Sequence, residues 1–428
     1  MIIPARQHLP DTATIPIPGD KSLSHRAAIL AALSDTPVTL TGFLTAEDCL
    51  HTLACLRQLG VPIQREHQTV IIHGVGKHGL SPPESPLDTG NSGTAIRLLA
   101  GVLSAQPFTS HITGDASIQR RPMQRIITPL THMGAQFETH TPPLIIHGQS
   151  LQGITYTLPV PSAQVKSAIL LAGLFASGQT MITEPIPCRD HTERLLALFN
   201  SPVTRTGTTL ILEPPDRICG PEHLAIPADI SSALYFIVLA LLCQKSWTFD
   251  AIGINPTRRA GLDYLLASQG LQIHPLSTVI TEPIARIQTE PGGLNTAEIS
   301  PAQIPNLIDD IPILSIAAIC AGQPFTIRHA AELRVKESDR IDSIVALAQA
   351  LGAHCQTFPD GFHLDPPAVF QDFHYDCAAD HRLAMTAIIA ALATGVQGTI
   401  TGTQSIATSF PTFFDNLNQL GIQYAKDY

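Results

Sequence analysis

The sequence predicts an α/β protein built from six related units in two similar halves. Three observations point there. Apolar helix candidates begin near residues 24, 94, 166, 231, 312 and 383, a spacing of about 65–80 residues. Short β-like runs follow these helices, and a proline-rich stretch separates the third copy from the fourth.

The first helices read SHRAAILAALS, TAIRLLAGVLS, KSAILLAGLFAS, SSALYFIVLALL, PILSIAAICAG and LAMTAIIAALATG. Each is rich in Ala, Leu and Ile, which favour helix and buried packing. The β-like runs are VTLTG, SHITG, TMITE, WTFDA, FTIRH and GTITG, rich in Thr, Val, Ile and Phe. Second helices end in CLRQLGVPI, LTHMGAQFE, LAQALGAHC and LNQLGIQY. Glycine after the last turn takes a left-handed conformation without Cβ strain. The third and fourth copies are less regular: LALFNSPV has Asn in place of Gly, and LLASQGLQI places Gly after Gln.

The period exceeds that of a solenoid turn, so each copy is expected to be a small βαβ-type unit. Pro214, Pro215, Pro221 and Pro227 mark a domain boundary. One large α/β domain crossed by a rigid loop is the other arrangement this pattern allows.

A chain of 428 residues and 45.8 kDa can bury cores without disulfide or metal staples. Twenty-five Lys and Arg stand against 35 Asp and Glu, a net charge of −10 that argues against a general nucleic-acid binder. Charged residues make up only 14%, so functional charges stand out against a sparse background. The eight cysteines (Cys49, Cys55, Cys188, Cys219, Cys243, Cys320, Cys355 and Cys377) show no CxxC pair and no zinc-ligand spacing. They read as reduced, mostly buried thiols, with no metal site expected. The N-terminus lacks a signal-peptide pattern, and the longest apolar stretch, Ala233 to Cys243, is far short of a membrane span. The expectation is a soluble cytoplasmic protein without a membrane or nucleic-acid partner.

The apolar helices open with GDKSLSHR, GNSGTAIR, PSAQVKS, PADISS, NLIDDIP and DHRLAM. Plain capping accounts for Ser, Asp, Asn and Gly there. It does not account for Lys21, Arg26, Arg97, Lys166 and Arg382. A cation near a helix N-terminus opposes the macrodipole by about 0.3–1 kcal/mol. Such a placement persists most easily where an anion lies between helix end and cation, unless the side chain snorkels to solvent. Gly90-Asn91-Ser92-Gly93-Thr94 is neither a Walker loop nor GxGxxG, and fits a tight turn or an anion site equally.

The densest charge cluster runs from Glu332 to Asp342. It fits a solvated helix start with i,i+3 and i,i+4 pairs. It also fits a site in which Lys336 and Arg340, one turn apart, face one ligand, with Glu337 as an acid/base group between them. Asp309 and Asp310 precede another apolar helix, where carboxylates suit capping, hydroxyl binding or proton abstraction.

Taken with GDASIQRRPM, RDHTE, NPTR, LRVKESDR and the late SFPTF segment, these motifs resemble, in order and over almost the whole chain, those of the 5-enolpyruvylshikimate-3-phosphate synthases, also called 3-phosphoshikimate 1-carboxyvinyltransferases. The resemblance implies two similar domains, each of three βαβαββ units about a pseudo-threefold axis. The active site would lie between the domains, which would close on substrate. Residues 18–226 would form the first domain; residues 1–17 and 227–428 would form the second.

The implied reaction transfers the enolpyruvyl group of phosphoenolpyruvate to the 5-hydroxyl of shikimate 3-phosphate, on the shikimate pathway to chorismate and the aromatic amino acids. It needs no metal or organic cofactor, and the protein would act as a monomer on small-molecule substrates. By motif position, Lys21, Ser22, Arg26, Ser162, Ala163, Gln164, Arg189, Asp309 and Lys336 would meet shikimate 3-phosphate. Lys21, Gly93, Arg121, Gln164, Arg340 and Arg382 would meet phosphoenolpyruvate, the last two as bidentate forks. Asp309 would accept the 5-hydroxyl proton, Glu337 would transfer the C3 proton, and Lys21 is a second acid/base candidate.

The sequence departs from the pattern at ATSFPTF, where some members carry a Lys and this chain has Ser409 before Phe410. SAQVK, RDHTE and NPTR resemble the bacterial class that tolerates glyphosate, yet Gly93 stands where some tolerant members have Ala. The sister enolpyruvyl transferases acting on UDP-N-acetylglucosamine usually carry a reactive Cys on the loop that here runs from Gly114 to Arg121, which has none. A non-catalytic anion-binding scaffold would have no need of Lys21, Asp309 and Glu337, and all three are present.

Overall fold

The computed structural model describes residues 1–279 and 282–425. The chain forms two compact units, one spanning Gly19–Pro227 and the other Met1–Pro18, Ala228–Ser277 and the residues from Pro283 onward.

In the Gly19–Pro227 unit, the second repeat shows the plan most plainly. Strand Leu87–Asp88 leads into helix Gly93–Leu103, strand Thr109–Thr113, helix Gln124–His132 and strands Gln136–Phe137 and Leu144–His147. The first two strands pair parallel and the last two complete the sheet antiparallel, with Leu87 opposite Ile112 and Ser110 opposite Ile146. Strands Thr155–Thr157, Thr180–Thr183, Val203–Thr206 and Thr209–Leu212 repeat it around helices Ala163–Gly173 and His191–Leu198. The first repeat has helices Lys21–Ala32 and Glu47–Gln58, and takes its leading parallel strand, His223–Ala225, from the end of the unit. The strands form because alternate residues are buried: Val38 and Leu40 point inward while their neighbours do not.

The second helices stop where the glycines predict. Gly60 and Gly134 have φ of +88° and +108°, and Asn200, which replaces Gly in the third copy, has φ of +54°. Helix Gly93–Leu103 packs on both Lys21–Ala32 and Ala163–Gly173, and all three are buried along most of their length.

The other unit is organised around helices Ile230–Leu242, Ile311–Cys320 and His381–Thr394, each packed on the other two and apolar all round, as enclosure requires. The N-terminal segment completes two of its sheets. Thr12–Thr14 pairs parallel with Ser246–Gly253, and Ile2–Ile3 pairs antiparallel with Gly398–Thr401. The fifth repeat departs from the expected βαβαββ order. Its sheet holds Phe325–Ile327, Gly361–Asp365 and His354–Phe358, without a leading parallel strand among the described residues. The chain ahead of it carries Pro291-Gly292-Gly293, which lacks one ladder donor and two side chains to pack.

Among the described residues the eight cysteines form no disulfide, and no single helix is long and apolar enough to cross a membrane.

The tightest helix contact suggests a stability test. A Cβ on Gly101 would lie 2.4 Å from the carbonyl oxygen of Ala168, so helices Gly93–Leu103 and Ala163–Gly173 touch backbone to side-chain-free backbone. Gly101→Ala must push them apart and is expected to cost about 1–3 kcal/mol in urea unfolding. An unchanged midpoint would show that the contact yields freely.

Candidate active site

The Gly19–Pro227 unit gathers cations at two helix starts. At the first, Asp20 caps helix Lys21–Ala32 by accepting from the Leu23 N–H at 2.8 Å. Lys21 then opens the helix, ion-paired with the buried carboxylate of Asp48. One turn on, Arg26 is almost fully buried. Its Nε donates to Thr192 Oγ1 at 2.8 Å, Nη2 to Ser167 Oγ at 2.9 Å and Nη1 to the Ser22 carbonyl at 2.9 Å. These three acceptors are neutral. Burial therefore pulls the Arg26 pKa down to about 10, against the attraction of Asp20 and Glu193 and with the repulsion of Arg189. A buried guanidinium bonded to hydroxyls and set near a second guanidinium is a charge arrangement that an anion relieves.

The second cluster forms over Gly93. Ser92 caps helix Gly93–Leu103 through the Ala95 N–H at 3.1 Å. Arg97 reaches back, its Nη1 donating to the Gly93 carbonyl at 3.0 Å and to Gln164 Oε1 at 2.7 Å. Arg121 donates from Nη2 to Ser117 Oγ at 3.3 Å. A Cβ on Gly93 would sit 2.7 Å from Arg121 Nη1 and 2.8 Å from Arg97 Nη1. Glycine here is what lets two guanidiniums converge on a helix N-terminus. Gln164 also donates to Thr94 Oγ1 at 3.0 Å, which fixes its amide as the link between Arg97 and helix Ala163–Gly173. Ser162 caps that helix through the Val165 N–H at 3.4 Å, and the Ala163 carbonyl accepts from Ser167 at 2.6 Å.

Lys166 corrects an expectation. It is not an anion-seeking cation at a helix start. Its side chain is fully buried and bonds Glu193 at 2.7 Å, Glu184 at 2.9 Å and the Cys188 carbonyl at 3.2 Å. Burial opposes its charge, but these partners outweigh burial and push its pKa up to about 12.

The other unit mixes cations with carboxylates. Asp309 lies 3.6 Å from Lys336 Nζ and 3.5 Å from Arg340 Nη1, and its carbonyl accepts from Arg382 Nη1 at 2.9 Å. Glu337 accepts from Arg340 Nη2 at 2.6 Å. The expected bidentate fork of Arg340 is already engaged on one edge: Nε and Nη2 bond the two oxygens of Asp380 at 2.7 and 3.2 Å. Nη2 thus serves Asp380 and Glu337 together, and Nη1 is the nitrogen that these two carboxylates leave for another partner. Burial works against the Arg340 charge, yet Asp380 and Glu337 raise its pKa.

Asp310 stands behind Asp309. It is held by Arg258 at 2.7 and 3.3 Å and by the Ser231 hydroxyl, and Arg382 Nη1 approaches it to 3.7 Å. Lys336 and Arg340 do face one carboxylate, but not as one helical turn. A 3₁₀ turn covers Ala331–Val335, Lys336 is extended, and the helix begins only at Arg340, capped by Asp339. Arg334 causes the break by bonding the carbonyls of Phe358 and Pro359 together with Asp339.

Sequence reasoning gave no role to Asp48, Ser167, Thr192, Arg258 or Asp380. Arg258, Thr192, Ser167 and Asp380 lie in the quoted motifs NPTR, RDHTE, PSAQVKS and DHRLAM, so a signal was present; Asp48 lies in none of them. Among the described residues, no group of three or more His, Cys, Asp or Glu is arranged to hold a metal ion.

Cations converging on helix starts define a protein that handles small anions. The sequence model of EPSP synthase (3-phosphoshikimate 1-carboxyvinyltransferase) matches residues 7–417, and the chain belongs to that family. The 3-phosphoshikimate 1-carboxyvinyltransferase of Acidithiobacillus ferrooxidans is 46% identical over 413 residues, 95% of each chain. That of Solibacter usitatus is 42% identical over 414 residues, 96% of this chain and 97% of the relative. The solved EPSP synthase of Acinetobacter baumannii superposes with a TM-score of 0.85 at 42% identity, covering 99% of this chain and 98% of the other.

His25 gives a pH test. It is fully buried, with Nδ1 2.7 Å from Thr52 Oγ1 and Nε2 3.4 Å from Ser92 Oγ. Burial, then the charges of Lys21 and Arg26, hold its pKa well below 6.5, so it is neutral in the folded protein. The unfolded chain takes up this proton below pH about 6.5 while the folded one does not. The contribution is fully present above that pH and declines as pH falls toward the folded-state pKa, by up to about 1.4 kcal/mol per unit. Unfolding free energies at pH 7.5 and 5.5 should fall less steeply for His25→Gln than for the parent. Equal slopes would place a titrating imidazole at this position.

Proposed function

We propose that this chain transfers the enolpyruvyl group of phosphoenolpyruvate to the 5-hydroxyl of shikimate 3-phosphate, giving 5-enolpyruvylshikimate 3-phosphate and phosphate. The 5-hydroxyl oxygen bonds C2 of phosphoenolpyruvate, its own proton leaves to a base, and C3 gains a proton. The tetrahedral intermediate then loses phosphate from C2 and a proton from C3. One observation carries the reading: the family match runs almost end to end, and its motif residues assemble into cation sets suited to two phosphorylated carboxylates.

In this reading Lys21, Ser22, Arg26, Ser162, Ala163, Gln164, Arg189 and Lys336 bind shikimate 3-phosphate. Lys21, Gly93, Arg121, Gln164, Arg340 and Arg382 bind phosphoenolpyruvate. Asp309 binds the shikimate hydroxyls and accepts the 5-hydroxyl proton. Glu337 moves the C3 proton, with Lys21 as the second acid/base group. Arg340 would meet the substrate carboxylate through Nη1, since Nε and Nη2 are bonded to Asp380 and Glu337. The residues this reading assigns to both substrates all belong to one chain, and the reading takes the protein as a monomer. Eight cysteines without a disulfide among the described residues suit the cytoplasm.

The direct test is phosphate release from phosphoenolpyruvate with shikimate 3-phosphate or with UDP-N-acetylglucosamine. Release with the first alone is expected, and release only with the second would overturn the reading. Glu337→Gln keeps shape but removes the titrating carboxylate, so kcat should fall by about 10²–10⁴ with far smaller changes in KM. Near-normal turnover in the folded variant would reduce Glu337 to a salt-bridge partner.

Truncating a buried cation that faces a substrate anion should cost about 2–5 kcal/mol of binding. Arg26→Ala should weaken shikimate 3-phosphate more, and Arg121→Ala phosphoenolpyruvate more. Calorimetric titration of each substrate decides, and equal losses in both variants would break the assignment.

A further inference from the structure

Lys166 belongs to no substrate contact, yet it sits directly beneath one wall of the first cation cluster. Its side chain has no solvent exposure. Its ammonium has three N–H donors, and three acceptors meet them: Glu184 Oε1, Cys188 O and Glu193 Oε1. Those acceptors bracket the turn between strand Thr180–Thr183 and helix His191–Leu198, the turn that carries Arg189. Glu184 is itself fixed on its other oxygen by Arg205 at 2.7 Å, and the Cys188 thiol donates to it at 2.9 Å. Burial disfavours the Glu184 carboxylate, but Lys166 and these donors outweigh burial and lower its pKa.

The same two helices are joined by a second rung one residue along. Lys166 meets Glu193, and next to it Ser167 meets Thr192 at 2.6 Å. The second rung is the seat of Arg26, whose Nε and Nη2 donate to Thr192 and Ser167. A buried ion pair is weak evidence for stability, since well-packed apolar residues often replace one without loss. What apolar packing cannot supply is three directional bonds that fix one turn and one helix relative to another.

We propose that Lys166 is a positioning residue for the phosphate end of shikimate 3-phosphate, setting Arg189 through the turn and Arg26 through the neighbouring Ser167–Thr192 rung. This rests on shikimate 3-phosphate being the substrate. Lys166 touches neither substrate; it determines where two guanidiniums stand. A misplacement of about 1 Å can cost up to a hundredfold. The loss should fall on the phosphate contact and spare phosphoenolpyruvate.

The experiment compares Lys166→Met and Glu193→Gln with the parent, using calorimetric binding of shikimate 3-phosphate and of unphosphorylated shikimate, together with KM for phosphoenolpyruvate. Parent enzyme that does not prefer the phosphorylated ligand overturns the functional reading itself, separately from any variant. With that preference established, Lys166→Met is expected to lower it by about ten- to a hundredfold while KM for phosphoenolpyruvate stays within about threefold. Glu193→Gln, which keeps two of the three bonds, should shift the preference in the same direction by less. If Lys166→Met leaves Glu184 and Glu193 buried without their counter-charge and the chain fails to fold, Lys166→Met/Glu193→Gln takes its place with the same expected loss. An unchanged preference for the phosphate in a folded Lys166 variant, or equal losses for both substrates, overturns the proposal.

Discussion

Three nearly uncharged helices at the middle of each unit are enclosed on every side, so charge can enter these cores only at helix ends. That constraint bears on every cation these helices carry. Helix Ile230–Leu242 is buried along almost its whole length, and so is His381–Thr394. A cation brought to such an end meets low dielectric and the positive pole of the helix together. It persists only with a compensating partner.

The chain compensates in two ways, and the difference separates framework from binding surface. Arg340, Arg258 and Lys166 are each bonded to buried carboxylates: Asp380, Asp310, and Glu184 with Glu193. These groups raise the pKa of their cations. Arg26 is handled otherwise, with two hydroxyls and a carbonyl, and its pKa falls. Arg97 and Arg121 converge over Gly93 with an amide, a carbonyl and a hydroxyl among their acceptors. Neutral acceptors orient a guanidinium without neutralising it, and for Arg26 this leaves a buried charge that an incoming anion would relieve.

Much of this fold was legible because its signals are local. The six apolar helices, the Thr- and Ile-rich strands and the glycine stops depend on periodicity and on φ preferences within a few residues. Asn200 shows how specific the stop signal is, for it takes the left-handed conformation that Gly60 and Gly134 take. The partners were not legible. Arg258 meets Asp310 and Arg340 meets Asp380 across long stretches of chain, and nothing in either segment names the other. Lys166 looked like its neighbours at other helix starts, because the carboxylates that claim it lie on another helix and at a strand end. The run from Glu332 to Asp342 suggested a continuous helical turn; Arg334, reaching to Phe358 and Pro359 in a different hairpin, decides otherwise.

Helix caps carry the division of labour further. The three central helices of the Ile230, Ile311 and His381 set are all preceded by aspartate: Asp229, Asp310 and Asp380. Those of the Lys21, Gly93 and Ala163 set are preceded by Asp20, Ser92 and Ser162. Asp229 and Asp380 accept from backbone donors of their helices, while the Asp310 carboxylate goes to Arg258 and Ser231; all three bring a negative charge beside which arginines can collect. A serine cap satisfies the same donors and brings none. The first set therefore holds carboxylates and cations in contact, as at Asp309, Lys336, Glu337 and Arg340, an arrangement suited to moving protons. The second set brings Lys21, Arg26, Arg97 and Arg121 to its helix starts, a grouping suited to holding phosphate and carboxylate. One repeated unit supplies both environments: Ser92 and Ser162 stand where the other set has aspartate, while Asp20 keeps a carboxylate at the start of the helix that carries Lys21 and Arg26.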